Sequence, residues 1–454
     1  MCSKYISVTS CQSVTRSFKL VENEIRKIGE FGKSMSDEKE FDVVFLGATG
    51  FTGQLLVEYV YNRYGLTSDL KWAIAGRNQN KLESVARNVA GDDADSIPLI
   101  VTDSNSESSV TDLAQRTRVV CTTVGPYAMY GNELVKACAI NGTHYCDLTG
   151  EVQWMRRMID LYETTAQSTG AKIVHTCGFD SIPSDLGVHF AQAEMQKNHG
   201  TYAREVKCRI GETKGGMSGG TVASMMNMME EMKTDPSLRG LLADPYSLNP
   251  VNTPPGTDKQ DQMGASYDHD FRQWTAPFVM AAINTRVVRR SNALMNFIYG
   301  ADFKYTESMA VGDGPAGYLK AMAIAGASVL MGLVSAFDPT RALAKPMLPA
   351  PGEGPSRETI EAGFFNIELF AKGLNKDGNA SSVKVKVTGD KDPGYGATCK
   401  MLAESAICLA QDELETEGGV WTPSTAMGDV LIKRLQENAG MTFECLAVVP
   451  ALDN

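Results

Sequence analysis

The chain has 454 residues, 43% hydrophobic and 21% charged, with a formal net charge of −11. This length suits two or three domains with ample core material, and an acidic chain without a long basic run argues against nucleic-acid binding and against electrostatic docking on anionic lipid. Its ten cysteines include no Cys-x-x-Cys pair, hence neither a zinc nor a redox motif, and no hydrophobic signal sequence opens it, which points to an intracellular protein with reduced thiols.

Residues 1–39 read as a disordered or targeting extension. Residues 1–21 carry Lys4, Arg16 and Lys19 but no acid, as a transit peptide does. The competing reading is an upstream start, since Met35 opens MSDEKEFDVVFLGATG just ahead of a first strand. That strand is the apolar run Phe41–Leu46, followed by GATGFTG and then by helical sequence from Gln54 to Tyr61. Glycines between a strand and a helix mark the phosphate loop of the dinucleotide fold. Gly47 permits a tight turn, Gly50 lets the backbone approach a pyrophosphate, and Gly53 lets helix and strand pack closely. Thr49, Phe51 and Thr52 complete the loop.

Further strands are expected at Lys71–Ala75, Ile97–Val101, Val119–Val124, His144–Leu148 and Lys172–Thr176, with helices at 79–90, 106–115, 130–141 and 151–169 between them. That alternation predicts a parallel, doubly wound dinucleotide-binding (Rossmann) domain over 40–180. At the end of the second strand an acid would favour NAD, whereas Arg77, with Lys81 four residues on, suits the 2′-phosphate of NADP. Asp103 after the third strand, and Gly125 and Pro126 after the fourth, complete the expected cofactor contacts.

The carboxyl ends of these strands also carry the candidates for proton donation: Tyr127 and Tyr130, Asp147, and Asp180. Asp147 has a competing reading as a strand-end or helix-cap residue, and Asp180 as a cap for a helix starting near Pro183. None of the fifteen tyrosines is followed four residues later by lysine, which removes the Tyr-x-x-x-Lys reductase mechanism.

A second, α+β domain is expected over 181–420. Val206, Cys208 and Ile210, then Phe365 to Ala371, and Val383, Val385 and Val387 alternate with polar residues, and Phe303 and Tyr305 begin another such run. This is the period of half-buried, largely antiparallel strands. Thr221–Lys233 is a Met-rich helix, either core or the lining of an adaptable apolar pocket. The segment 321–337 lacks charge over seventeen positions. It is open to three readings: a buried core helix, a segment lying in a lipid surface, or a membrane span at the short limit of about 20 residues. Residues 421–454 are expected to form a helix returning to the first domain.

Blocks recur in order along the chain: VGPYAMYGNELVKAC, GTHYCDLTGE, GFDSIPSDLG, GGMSGGTVASM, PAPGEGPSRE, DPGYGATCKMLAESA and GGVWTPSTAMGDVLIKRL. Together with GATGFTG they resemble the saccharopine dehydrogenase-like oxidoreductases, a group that includes trans-acting enoyl reductases of bacterial lipid synthesis. The resemblance covers about residues 40–440 and implies a nicotinamide-binding domain, a second α+β domain, and association with lipid droplets or membranes. The resulting expectation is an NADP-dependent reductase of a double bond in a hydrophobic, lipid-like or acyl substrate. Its expected partners are that substrate, a lipid monolayer or membrane surface and a second copy of itself in a homodimer, without nucleic acid. One alternative is a dehydrogenase for a saccharopine-type dicarboxylate, with cations drawn from Arg204, Arg209, Arg286, Arg289 and Arg290. Another is a lipid-surface protein that keeps the fold without turnover.

Overall fold

The computed structural model describes residues 39–216, 219–254, 256–336 and 353–449. The expected N-terminal extension, apart from Lys39, and the last residue of the apolar segment lie outside the described residues. Among the described residues there are fourteen strands: β1 (Phe41–Leu46), β2 (Trp72–Gly76), β3 (Leu99–Val101), β4 (Thr117–Thr122), β5 (His144–Cys146), β6 (Lys172–Val174), β7 (Glu205–Lys214), β8 (Ser266–Asp268), β9 (Gln273–Ala276), β10 (Lys304–Gly312), β11 (Phe364–Leu374), β12 (Ala380–Gly389), β13 (Gly419–Trp421) and β14 (Met441–Val449).

The first sheet runs β13-β6-β5-β4-β1-β2-β3, with every ladder parallel. β1 shows why the sheet is covered on both sides. Successive side chains point to opposite faces; Val43 and Phe45 enter one core, Val44 and Leu46 the other. Helices Phe51–Tyr64, Gln79–Ala90 and Thr398–Gln411 cover the first face, and Glu107–Arg116, Asn132–Ile140 and Val152–Thr169 the second. Each such buried valine or phenylalanine contributes ~1.5–3 kcal/mol.

The second sheet runs β14-β12-β11-β7-β10-β9-β8. Its ladders are antiparallel except β7 with β10. The alternation in β12 puts Val383, Val385 and Val387 into the core, where the helix Ile182–His199 lies across β11 and β12. The fold is therefore the expected parallel α/β sheet joined to a largely antiparallel one.

The chain returns to the first domain through more than the expected helix. The helix that comes back onto β1, β4 and β5 is Thr398–Gln411, within the stretch assigned to the second domain. The expected C-terminal helix, Pro423–Asn438, stacks on Thr398–Gln411 and Ile182–His199 and also reaches the first domain, at β6 and through Asn438, which accepts from Tyr59 and Arg63 of the helix Phe51–Tyr64. Ahead of it, β13 adds a seventh strand beside β6, and after it β14 closes the edge of the second sheet. Three residues of β13 are too few to show a period, so it reads as a turn. Arg290 holds it there, donating to the Val420 carbonyl at 2.7 Å.

The apolar segment lies in the helix Gly314–Ala336. Among its described side chains, up to Leu330, only the small residues Gly317, Ala321 and Ala325 form its buried stripe, at the spacing of one helix face. That stripe packs on β9 and β10, while Leu319, Met322, Val329 and Leu330 stand 67%, 48%, 54% and 61% exposed. The core-helix reading fails on this face. Nor, among the described residues, is any helix long and apolar enough to cross a membrane. The Met-rich helix, Gly219–Thr234, runs alongside, with Met225, Met226, Met228 and Met229 half-buried rather than core.

Candidate active site

Gly50 caps the helix Phe51–Tyr64 without a side chain, so the first N–H groups of the helix remain available to an anion. Gly47 takes φ +94°, and a Cβ there would stand 2.6 Å from Thr123 Oγ1 and 2.9 Å from Val124 Cγ2. A Cβ on Gly53 would lie 2.1 Å from the Gly47 carbonyl oxygen. Beside Gly50, by contrast, nothing comes closer than 3.4 Å. The loop is thus tight where it folds on itself and open where a pyrophosphate would approach, and this cradle fits a dinucleotide. Thr49 and Thr52 serve through the backbone: the Thr49 carbonyl accepts from Gln54 Nε2 at 3.2 Å and the Thr52 carbonyl from the Cys399 thiol at 3.3 Å. The Phe51 ring lies edge-on to Tyr395 at 5.3 Å, while its backbone opens the helix whose first N–H groups face the loop.

Arg77 and Lys81 stand exposed after β2, with no side-chain hydrogen bond or ion pair among the described residues, which leaves both free for a 2′-phosphate. Asn78 caps the intervening turn, accepting from the Lys81 N–H at 3.0 Å. Asp103 folds its carboxylate onto its own turn, accepting from the Asn105 N–H at 3.1 Å. The Gly125–Pro126 bond is cis. Beyond it, Glu151 caps the turn Tyr127–Tyr130, accepting from the Tyr127 and Ala128 N–H groups at 2.8 and 2.9 Å. Ser224 of the Met-rich helix comes within 3.7 Å of where a Gly125 Cβ would stand, bringing that helix to the loop that would face a nicotinamide.

The proton-donor candidates separate. Tyr127 is buried; its hydroxyl donates to the Thr122 carbonyl at 3.2 Å and its ring lies 5.5 Å from Trp154. Burial holds this phenol well above its usual range, so it is a core residue. Tyr130 ends the same turn half-buried. Asp147 is wholly buried and saturated. Its Oδ1 accepts from the N–H groups of Thr149 and Thr176 at 3.0 and 3.1 Å; its Oδ2 accepts from the Tyr145 hydroxyl at 2.9 Å and lies 2.7 Å from His175 Nδ1. Both of its carboxyl oxygens are engaged within the protein. Its work is to hold Thr176 at φ +61°, in the left-handed region, where the chain leaves β6 toward Asp180.

Asp180 is the candidate the structure leaves free. Its carboxyl accepts no hydrogen bond among the described residues. It approaches within 3.7 Å of a Cβ position on Gly150, where Met280 also converges at 4.0 Å. Burial, reinforced by the nearby charge of Glu307, pushes it up to about 7. Glu307, on β10, is the residue that sequence reasoning missed. It is buried, and its carboxylate accepts from Asn284 Nδ2 at 2.7 Å, the Tyr305 hydroxyl at 2.9 Å and Ser184 Oγ at 3.2 Å. Burial raises it, too, to about 7. The signal was present: after Phe303 and Tyr305, the next inward position of the alternating run is an acid.

The arginines offered for a dicarboxylate are engaged within the protein. Arg209 binds Asp268 at 2.6 Å, Arg286 binds Asp261, and Arg289 binds Asp258 at 2.8 Å. Arg290 binds Glu163 at 3.3 Å, and exposed Arg204 binds Asp302 at 3.1 Å.

Comparison with known proteins agrees with this geometry. Residues 43–174 match the family described as saccharopine dehydrogenase NADP binding domain. A putative trans-acting enoyl reductase of Mycobacterium tuberculosis is 40% identical over 417 residues, 89% of this chain and 97% of the relative. A trans-acting enoyl reductase of Mycobacterium bovis is 38% identical over 428 residues, 88% of this chain and 96% of the relative. Among solved structures, the apo saccharopine dehydrogenase (L-Glu forming) of Saccharomyces cerevisiae shares the fold, with a TM-score of 0.53 at 13% identity over 90% of this chain and 99% of that one. With an open phosphate cradle, free cations where a 2′-phosphate would sit and near full-length relatives, the chain is an NADP-binding oxidoreductase and belongs to the saccharopine dehydrogenase-like family, in the group of the trans-acting enoyl reductases.

Proposed function

We propose that this protein reduces the carbon–carbon double bond of an α,β-unsaturated acyl substrate. The observation that carries this reading is the 38–40% identity, across nearly the whole chain, to proteins named trans-acting enoyl reductase. NADPH would be held by the Gly47–Gly53 loop, Arg77, Lys81 and the Gly125–Pro126 turn, and when bound it supplies a hydride. Asp180 delivers the balancing proton to the second carbon and is reprotonated from solvent; a carboxyl poised near neutrality is suited to that exchange. The paired arginines leave no free cluster of cations for a dicarboxylate among the described residues, which favours the acyl substrate over a saccharopine-type one. The test is NADPH oxidation followed at 340 nm with long-chain enoyl thioesters. Turnover supports the reading, and none with any chain length opposes it.

Arg77→Ala is expected to raise the Kd for NADPH about tenfold, the loss of one charge-assisted contact, and to leave that for NADH unchanged. Fluorescence titration of both nucleotides checks this.

The exposed apolar face of Gly314–Ala336 supports a site of action on a lipid surface. Helices of this kind bind through buried apolar area, and with a net charge of −11 the attraction would be insensitive to salt. Flotation with phosphatidylcholine vesicles checks it: the protein should float in low and high salt, and a Leu319→Ser, Met322→Ser, Leu330→Ser variant should remain below.

A further inference from the structure

We infer that Glu151 is a positioning residue: its carboxylate fixes the backbone turn at residues 125–128, where a nicotinamide would lie, to the short segment 147–151 that also lies against Asp180. This role rests on the proposed seat of the nicotinamide at the Gly125–Pro126 turn.

Glu151 stands at the start of the helix Val152–Thr169, yet its side chain caps no N–H group of that helix. It is buried and reaches across to the neighbouring turn instead. Oε1 accepts from the Tyr127 N–H at 2.8 Å and Oε2 from the Ala128 N–H at 2.9 Å. One carboxylate oxygen for each amide sets both the place and the direction of this backbone, since charge-assisted bonds are short and strong. Glu151 is itself held. Its N–H donates to Thr149 Oγ1 at 3.1 Å, and the Thr149 N–H donates to Asp147 Oδ1 at 3.0 Å. The residue between them, Gly150, is the one whose Cβ position lies 3.7 Å from Asp180 Oδ2. Two consecutive residues therefore meet the two sides of the reaction: Gly150 the proton donor, and Glu151 the turn for the hydride donor.

The second domain approaches the same place. Ser224 Oγ, on the Met-rich helix Gly219–Thr234, stands 3.7 Å from the Cβ position of Gly125. Two turns further along, Glu231 accepts from Gln153 Nε2 at 2.9 Å. Seven residues apart, Ser224 and Glu231 share one helix face, and Gln153 follows Glu151 by two residues.

The turn has other contacts to keep it folded. The Tyr127 ring is buried 5.5 Å from Trp154, Trp154 Nε1 donates to Asn132 Oδ1 at 2.8 Å, and the Gly131 N–H donates to the Tyr127 carbonyl at 2.7 Å. What Glu151 adds is the aim of the two leading amides. Hydride transfer is sensitive to that aim, because about 1 Å of misplacement costs on the order of 100-fold in rate.

The experiment compares the wild type with Glu151→Gln and Thr149→Val. The glutamine keeps the shape but turns an NH2 group toward one of the two amide donors. The valine removes the hydroxyl that holds Glu151, and covers the case in which Glu151→Gln does not fold. In the first arm NADPH is titrated, with affinity read from tryptophan quenching and immobilisation of the nicotinamide from the emission of the bound reduced ring. The wild type should raise that emission. Both variants should lose about half of the gain or more while Kd stays within about threefold, since the phosphate contacts carry the affinity. In the second arm, hydrogen exchange is followed on the nucleotide-free protein. The amides of Tyr127 and Ala128 should exchange about tenfold faster in both variants, with the core helices unchanged. Unchanged emission and exchange in folded variants would overturn the inference. So would a loss of affinity in step with the loss of emission, which a merely structural role would give. Tight NADPH binding without an emission gain in the wild type would put the nicotinamide away from this turn and overturn it as well. The expected emission and exchange in a protein that reduces no enoyl substrate would uphold the role of Glu151 and overturn the proposed reaction.

Discussion

Gly53→Ala should abolish useful NADPH binding, raising Kd about 100-fold, equivalent to ~2.7 kcal/mol, and should lower the melting temperature. The added Cβ would lie 2.1 Å from the Gly47 carbonyl oxygen, 2.8 Å from its carbon and 2.9 Å from Ala48 Cα. All three are backbone atoms, so no side chain can swing aside. The helix Phe51–Tyr64 must lift from β1, taking Leu56, Val57 and Val60 out of the core they share with Val43 and Phe45. Overpacking of this kind costs about 1–3 kcal/mol, and the lift also misaims the helix N-terminus that would hold the pyrophosphate. Gly240→Ala is the control, since it adds a methyl group in open space on a surface helix. Nucleotide titration and thermal melts of the two variants check this, and wild-type affinity in Gly53→Ala would contradict the role of the loop.

Asp180→Asn should lower kcat about 100-fold or more, the usual contribution of a positioned general acid, with NADPH affinity unchanged. It should also stabilise the protein above neutral pH. In the wild type the folded carboxyl titrates near 7 rather than in the ordinary carboxylate range, with burial as the main cause. The folded state thus holds its proton more tightly than the unfolded chain does. The resulting stability is complete below the unfolded value, near 4, and is lost as pH rises through about 7. An amide never ionises, so the variant escapes that loss. Single-turnover rates and melting curves at pH 5 and pH 8 read both effects. A slow enzyme with unchanged stability at pH 8 would mean that Asp180 is not buried as described.

The parallel half of the fold was legible because its strands are buried on both faces and separated by helices of ordinary length. The loop GATGFTG gave the cofactor end for the same reason: three glycines between a strand and a helix have few other uses. β13 and β14 were not legible as partners of the two sheets, since three residues show no period and pairing between distant strands leaves no local mark. Among proton donors, Asp147 looked as good as Asp180, because both follow strands of one sheet. The difference lies in what surrounds them: Asp147 is filled by Tyr145, Thr149, His175 and Thr176, and the Asp180 carboxyl accepts no hydrogen bond among the described residues. The arginines misled in the opposite direction. Read singly they could bind a dicarboxylate, yet Asp258, Asp261 and Asp268, from intervening loops and β8, neutralise three of them.

The central claim is hydride transfer from NADPH to an acyl double bond. The most direct measurement is mass spectrometry of the product formed from a long-chain enoyl thioester and NADPH deuterated at the transferable position. The account predicts one deuterium on the reduced carbon pair and, in heavy water with unlabelled NADPH, one deuterium at the neighbouring carbon. Tight NADPH binding with no label in any enoyl product would contradict it.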